Sequence, residues 1–444
     1  MTIESVETTM FFGRVLIAVT ALTHSLLATF IVGASLIGAV TATMYFFTDQ
    51  SWYRRLAYLI AFSLVLSTAT ISFFGTLLVI FLNIFWPRFW HQLFQVMFWF
   101  FILEAVLFLC EAVFAYAWYY LWDWGASGWR RILHLSFIWV ASASSLAAMF
   151  AIDVTASYML TPFPLDSGWE NIWNPTMIDL HLHRWFGNLT WTGFALGGIC
   201  AIGLLRSRTD HDYTFYLKAG THCFAIGFGA LLLMPIIGYQ YLLHLRYGQP
   251  QAFFSLMLGE RSWLFALVGL LYGLLVFVGS MYLWVLIRAT HLARGSFSSF
   301  MVISLFLIGI ATVVLALPYH LTNIPYIQDM VTQPIFPWGK MQPYKYYALS
   351  TLVVFGFLNG MYAIRAGMTS LPHAISGMPG MRSRATPSLL LTLASLTVMI
   401  FLAMGWVRES ARAVNGYLIY GDIRLSDERP TYGEEIQFSE YFFE

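Results

Sequence analysis

The sequence predicts an all-α, polytopic integral membrane protein with about ten transmembrane helices. Three observations carry that prediction. Of 444 residues, 59% are hydrophobic and only 10% are charged, whereas a water-soluble domain carries roughly a quarter of its residues as charges. The apolar residues fall into long unbroken runs. The basic residues of the connecting loops are distributed unevenly between alternate loops. A net charge of +1 provides no polyanion-binding surface, so a soluble enzyme and a nucleic-acid binder are both excluded.

A helix needs about 20 apolar residues to cross a bilayer. Ten runs meet that length, at about 11–46, 56–86, 92–121, 132–160, 180–205, 218–244, 262–288, 298–318, 346–367 and 387–407. The first begins some way into the chain, is too long for a signal-peptide core, and reads as a retained helix. Several runs exceed the minimum, which implies tilt or projection beyond the hydrocarbon. Cys110, Cys200 and Cys223 each sit inside an apolar run with no CxxC spacing, so they read as small buried hydrophobes. The Gly193–Gly197 spacing reads as close helix packing.

Orientation follows from Lys and Arg in the short loops. Loops after odd-numbered runs hold Arg54, Arg55, Arg130, Arg131, Arg206, Arg208, Lys218, Arg288, Arg294, Arg365, Arg382 and Arg384. Loops after even runs hold half as many: Arg88, Arg184, Arg246, Arg261, Lys340 and Lys345. The first set is expected to face the cytoplasm, with both termini extracytoplasmic. An even number of helices satisfies that arrangement. The segment 409–444 is acidic and reads as a solvated extracytoplasmic tail, with docking of a partner through complementary charge as the alternative. The proline-bearing loop at 320–344 is long enough to be functional.

Ionisable groups inside hydrocarbon are costly and mark function. His24 lies within the first run, Glu104 and Glu111 within the third, Asp153 in the fourth, His183 and Arg184 at the start of the fifth and His222 in the sixth. His320 closes the eighth. Seven residues place Glu104 and Glu111 on one stripe, about 10 Å apart. A carboxyl group removed from water favours its neutral form, and such a stripe can pass protons. Buried imidazoles surrounded by Trp, Phe and Met fit haem iron ligation. His24 and His183 are the leading ligands, with His320 and His222 behind them. Arg184 is placed to pair with a propionate, and Gly187, Gly193, Gly197 and Gly198 are placed to leave room for the macrocycle. Asp153 reads as a hydrogen-bonding group between helices. His91, His134, His181, His211, His291 and His373 read as interfacial.

These residues resemble subunit I of the cytochrome bd-type quinol oxidases, in a divergent branch. His24 in TALTHSLL is similar to the family's first-helix histidine. Glu104 and Glu111 are similar to its two third-helix acids, and Trp122-Asp123 follows Glu111 at the family's spacing. His183 with Thr192-Gly193 is similar to its fifth-helix motif. The resemblance implies low-spin haem b on His183 and a high-spin site served by His24, of b or d type, with electrons passing from quinol to oxygen. It implies a bacterial or archaeal cytoplasmic membrane and other respiratory subunits, such as small single-helix chains or a cytochrome c.

The chain departs from the family pattern near its end. It has Gly405-Trp406-Val407-Arg408-Glu409 in place of Gly-Trp followed by Gly-Arg-Gln-Pro-Trp. Ala403 stands at a haem-ligating glutamate and Leu352 near the family's methionine ligand. The long hydrophilic loop after the sixth helix is replaced by a hairpin at about 262–318. His320 is therefore the expected axial partner of His183, with Met341 and His244 as the alternatives. Lys345, Arg408, Glu409 and Arg412 are expected quinol or propionate contacts. The expected organisation is a haem-binding six-helix core at 1–246, four further helices at 247–408 and the tail. The other readings are a bd-like electron-transfer subunit that does not reduce oxygen, a haem-free transporter, and a quinone-binding anchor. Haem–copper oxidases are excluded because no His-His pair occurs.

Overall fold

The computed structural model describes residues 3–126, 128–161, 169–257, 261–289, 296–317, 343–365 and 384–412. Every regular element among them is helical. In order, the α-helices are α1 (Ile3–Thr48), α2 (Ser51–Phe85), α3 (Pro87–Val96), α4 (Phe98–Tyr120), α5 (Trp129–Leu160), α6 (Met177–Arg206), α7 (Asp210–Gly248), α8 (Pro250–Met257), α9 (Ser262–Ala289), α10 (Ser296–Ala316), α11 (Pro343–Arg365) and α12 (Ala385–Arg412). Ten of these are long and apolar enough to cross a membrane; α3 and α8 are too short. Each of the ten covers one of the apolar runs read from the sequence.

The breaks have local causes. Pro87 opens α3 at its first position, where its missing N–H is harmless, and it disfavours helical backbone at Trp86. The run at 92–121 is divided at Met97 between α3 and α4. Gly128 caps the start of α5 at φ 62, ψ −149, a region that only glycine visits without strain. Within the helices, hydroxyls return to backbone carbonyls one turn back, as Thr41 does to Ile37 and Thr68 to Leu64. This satisfies them where water is absent.

The chain divides into two compact units. Unit 1 comprises Met1–Trp185, Gly238–Arg261 and Gly405–Glu444. In it α1 packs on α2 and α5, and α4 packs on α5 and α2. Its core includes Ile17, Trp86, Met97, Phe100, Val154 and Tyr158. Unit 2 comprises Phe186–Ile237 and Ser262–Met404. There α9, α10 and α11 pack on one another, and the core runs through Phe194, Phe224, Phe228, Leu275, Tyr282 and Leu352. A Cβ on Gly193 would sit 2.6 Å from the Gly227 Cα, so the two backbones touch there.

Candidate functional site

One group of polar residues in unit 1 lies at the end where α5 finishes and α6 begins. The connection is pinned by buried side chains. Asn174 Nδ2 donates to the Thr161 carbonyl at 2.6 Å, and the Thr176 amide donates to Asn174 Oδ1 at 3.1 Å. This fixes the first turns of α6 against the last turns of α5.

Asp153 is fully buried, with 0% of its side chain exposed. His181 Nδ1 donates to its Oδ2 at 2.8 Å, and Arg184 Nη1 donates to its Oδ1. Residues three apart share a helix face, so one carboxylate holds two side chains of α6. The helix–helix role read for Asp153 agrees with this placement. His181, read as interfacial, is instead tied to a buried acid. Arg184 engages Asp153 and stands within electrostatic reach of Glu104.

His183 lies on a different face of α6, against α7. Its ring is 6.2 Å from that of Tyr241, and a Cβ on Gly238 would come within 3.4 Å of it. Its Nδ1 is buried and has no hydrogen-bond partner. One turn earlier on α6, the Asp179 carboxylate accepts from His244 Nδ1, near the end of α7. Arg408 and Arg412 of α12 stand within electrostatic reach of Tyr241, as do Asp153 and Asp179. Arg412 is buried and directs Nη2 at the Ala156 carbonyl at 3.5 Å. Glu409 and Ser410 are buried beside it in sequence. The structure thus brings His183, Arg184, Arg408 and Arg412 to one end of unit 1.

His24 sits against α2, where a Cβ on Gly75 would be 3.0 Å from its Cε1. Its Nδ1 is also buried without a partner. Glu111 is only 3% exposed and Ser145 of α5 is its neighbour; its Oε1 lacks a hydrogen bond. Glu104 is half-buried on the same helix. Past the end of α4, Asp123 pairs with Arg54 at 3.6 Å, and the Arg54 guanidinium lies 6.0 Å over the Trp122 ring. These two residues flank a cleft lined also by Tyr45, Trp118, Arg131 and His134. His134 contacts the Trp118 carbonyl through Nε2 at 2.7 Å.

The other expected residues are placed differently. His222 is half-buried on α7 in unit 2, and Lys345 is half-buried in the first turn of α11. His320, the loop at 320–344 up to residue 342, and the tail from 413 onward lie outside the described residues. Three glycines do not leave space for a macrocycle. Gly193 is closed by Gly227, Gly198 by Ala394 at 3.0 Å and Gly197 by Leu390 at 3.5 Å. They serve helix packing, as the Gly193–Gly197 spacing implies. From the sequence, His244 stands only as an alternative axial partner of His183, and Asp179 is not singled out. The alternation Asp179-x-His181-x-His183-Arg184 at a helix start was the available signal.

No cluster of three or more His, Cys, Asp or Glu able to hold a bare metal ion occurs among the described residues. His24 and His183 each keep one buried ring nitrogen without a hydrogen bond, although His24 also meets the Ile71 backbone, and such a nitrogen fits haem iron instead. A buried ring nitrogen without a protein partner is costly and is relieved by coordination.

Ten helices long and apolar enough to cross a membrane, among the described residues, define a polytopic all-α membrane protein. The chain belongs to the cytochrome bd terminal oxidase subunit I family, whose model matches residues 12–258. A solved structure similar to it is the bd oxidase from Geobacillus thermodenitrificans, at 18% identity and a TM-score of 0.50. That match covers 90% of this chain and 97% of the other, and it concerns the fold alone. No curated protein matches the chain.

Proposed function

We propose that this chain is the haem-carrying subunit of a membrane quinol oxidase that passes electrons from quinol to oxygen. The observation that carries the reading is the His183 Nδ1, buried and unpartnered beside Tyr241 and Gly238. The family membership supplies the rest of the context. Haem, when bound, supplies one-electron transfer and, at an open coordination position, oxygen binding.

In this reading His183 and His320 would hold a low-spin haem b, and His24 would hold a high-spin haem of b or d type. Asp153 keeps His181 and Arg184 in place, which orients the turn that carries His183. Arg408 and Arg412 supply positive charge for propionates, while Arg184, expected there from the sequence, is held by Asp153. Glu111 and Glu104 carry protons along α4, fed from the Trp122–Asp123 end, which the loop charges place at the cytoplasm. The His183 end is then extracytoplasmic, where quinol releases its protons. Lys345 and Glu409 are contacts for quinol or propionates. Further subunits, including small single-helix chains, complete the complex.

The test is a reduced-minus-oxidised spectrum and pyridine haemochrome quantification of the purified protein, followed by quinol-driven oxygen uptake. Haem with oxygen uptake is expected, and His183→Ala is expected to lose the low-spin component. A folded, colourless protein refutes the reading. Haem without oxygen uptake selects the electron-transfer alternative, in line with the buried Ala403 where the family carries a glutamate.

A further inference from the structure

We infer that His244 is the base that takes the proton from the quinol hydroxyl, with Asp179 as its positioning residue. This rests on the quinol reading above and adds to it the group that removes the proton.

The geometry is that of a carboxylate–imidazole dyad. Asp179 is buried in the first turn of α6, and its Oδ2 accepts the hydrogen bond from His244 Nδ1. A proton held on Nδ1 leaves the Nε2 lone pair as the acceptor. Gln240 Nε2 approaches that nitrogen at 3.4 Å, a long contact that a hydroxyl can replace. The buried carboxylate stabilises the imidazolium that forms.

The dyad is also in the right place. His244 is 44% exposed, and its neighbours Gln240, Tyr247 and Ile178 are exposed as well. Near the end of α7, the exposed edge of His244 and the Gln240 amide lie open to a polar head group carried at the membrane surface. A quinol carries such a head group, a hydroxylated ring on an apolar tail. Asp179 precedes His183 by one turn, about 6 Å along the helix, and Tyr241 lies against His183 three residues before His244. The charged and titratable groups around this end are Asp179, Asp153, His181 and Arg184 on or against α6, Tyr241 and Arg246 on α7, and Arg408, Glu409 and Arg412 on α12.

The step balances as follows. The quinol O–H bond breaks and its proton moves to His244 Nε2. Quinol is oxidised to quinone with loss of two protons and two electrons. The electrons leave one at a time to ferric haem, and His244 returns each proton to water at the membrane surface.

The experiment uses the complete complex in lipid nanodiscs, mixed rapidly with decylubiquinol or menadiol, with haem reduction followed optically. Dithionite serves as a quinol-independent reductant. His244→Gln is expected to slow quinol-driven reduction about 10²-fold, the scale of general base catalysis. Its haem content, spectrum and dithionite reduction are expected to match the wild type. Asp179→Asn is expected to lower kcat at unchanged KM, because the imidazole loses the carboxylate that holds it. Asp179→Glu is expected to restore part of the rate. Wild-type rates in His244→Gln overturn the inference and leave the quinol reading standing. A wild type that dithionite reduces and neither quinol reduces overturns both. As a measurement independent of turnover and of any variant's folding, diethylpyrocarbonate labelling of wild-type His244 is read by mass spectrometry. Protection by a non-reducing quinone analogue supports the inference, and labelling indifferent to the analogue refutes it.

Discussion

Replacing Asp153 with Ala removes the anchor of two side chains, and the structure sets the magnitude. The neutral part of the loss is small, since hydrogen bonds between membrane helices average about 0.6 kcal/mol. The larger part is the Arg184 charge left in place. An unpaired arginine in a membrane helix costs about 2.5–3.5 kcal/mol. Arg184 keeps 21% of its side chain exposed, which reduces that figure to about 2 kcal/mol. With the bond from His181 included, Asp153→Ala is expected to destabilise unit 1 by about 3 kcal/mol. Asp153→Ala/Arg184→Leu is expected to recover about half, because the stranded charge is gone. Reversible unfolding in mixed micelles measures both, with the low-spin haem spectrum as a second readout. A loss under about 0.5 kcal/mol for Asp153→Ala, or additive losses in the double variant, refutes the anchoring role.

Three further outcomes are expected. Gly193→Val drives a branched side chain into the Gly227 backbone, where even a Cβ would lie 2.6 Å from Cα; a loss of about 1–3 kcal/mol is expected in the same unfolding assay. Gly128→Ala places a side chain at φ 62, ψ −149 and is expected to cost about 1–3 kcal/mol, read as a lowered unfolding midpoint. Glu111→Gln keeps the volume of a residue 3% exposed and removes its proton-carrying capacity. Quinol-driven oxygen uptake is expected to fall at least tenfold while haem content stays unchanged.

Much of the architecture was legible because the bilayer imposes a one-dimensional rule. A helix that crosses lipid must satisfy its own backbone and present apolar side chains over a set length. All ten runs therefore mark helices, and only the break at Met97 divides one of them. His24, Glu111 and His183 were visible for the same reason, as polar groups where polarity is expensive. Gly193, Gly197 and Gly198 were ambiguous, since a missing side chain admits a cofactor or a second helix equally well.

By itself, the order of residues determined the helix count, the loop-charge asymmetry and the short set of buried polar side chains, all of which depend on local composition and spacing. Only the tertiary structure decided that Arg184 and His181 answer to Asp153, that Asp179 holds His244, and that Arg412 returns to the end of α5. Those pairings join residues 28 to 256 positions apart. Which face of each helix meets which neighbour depends on packing, and no local pattern encodes that choice.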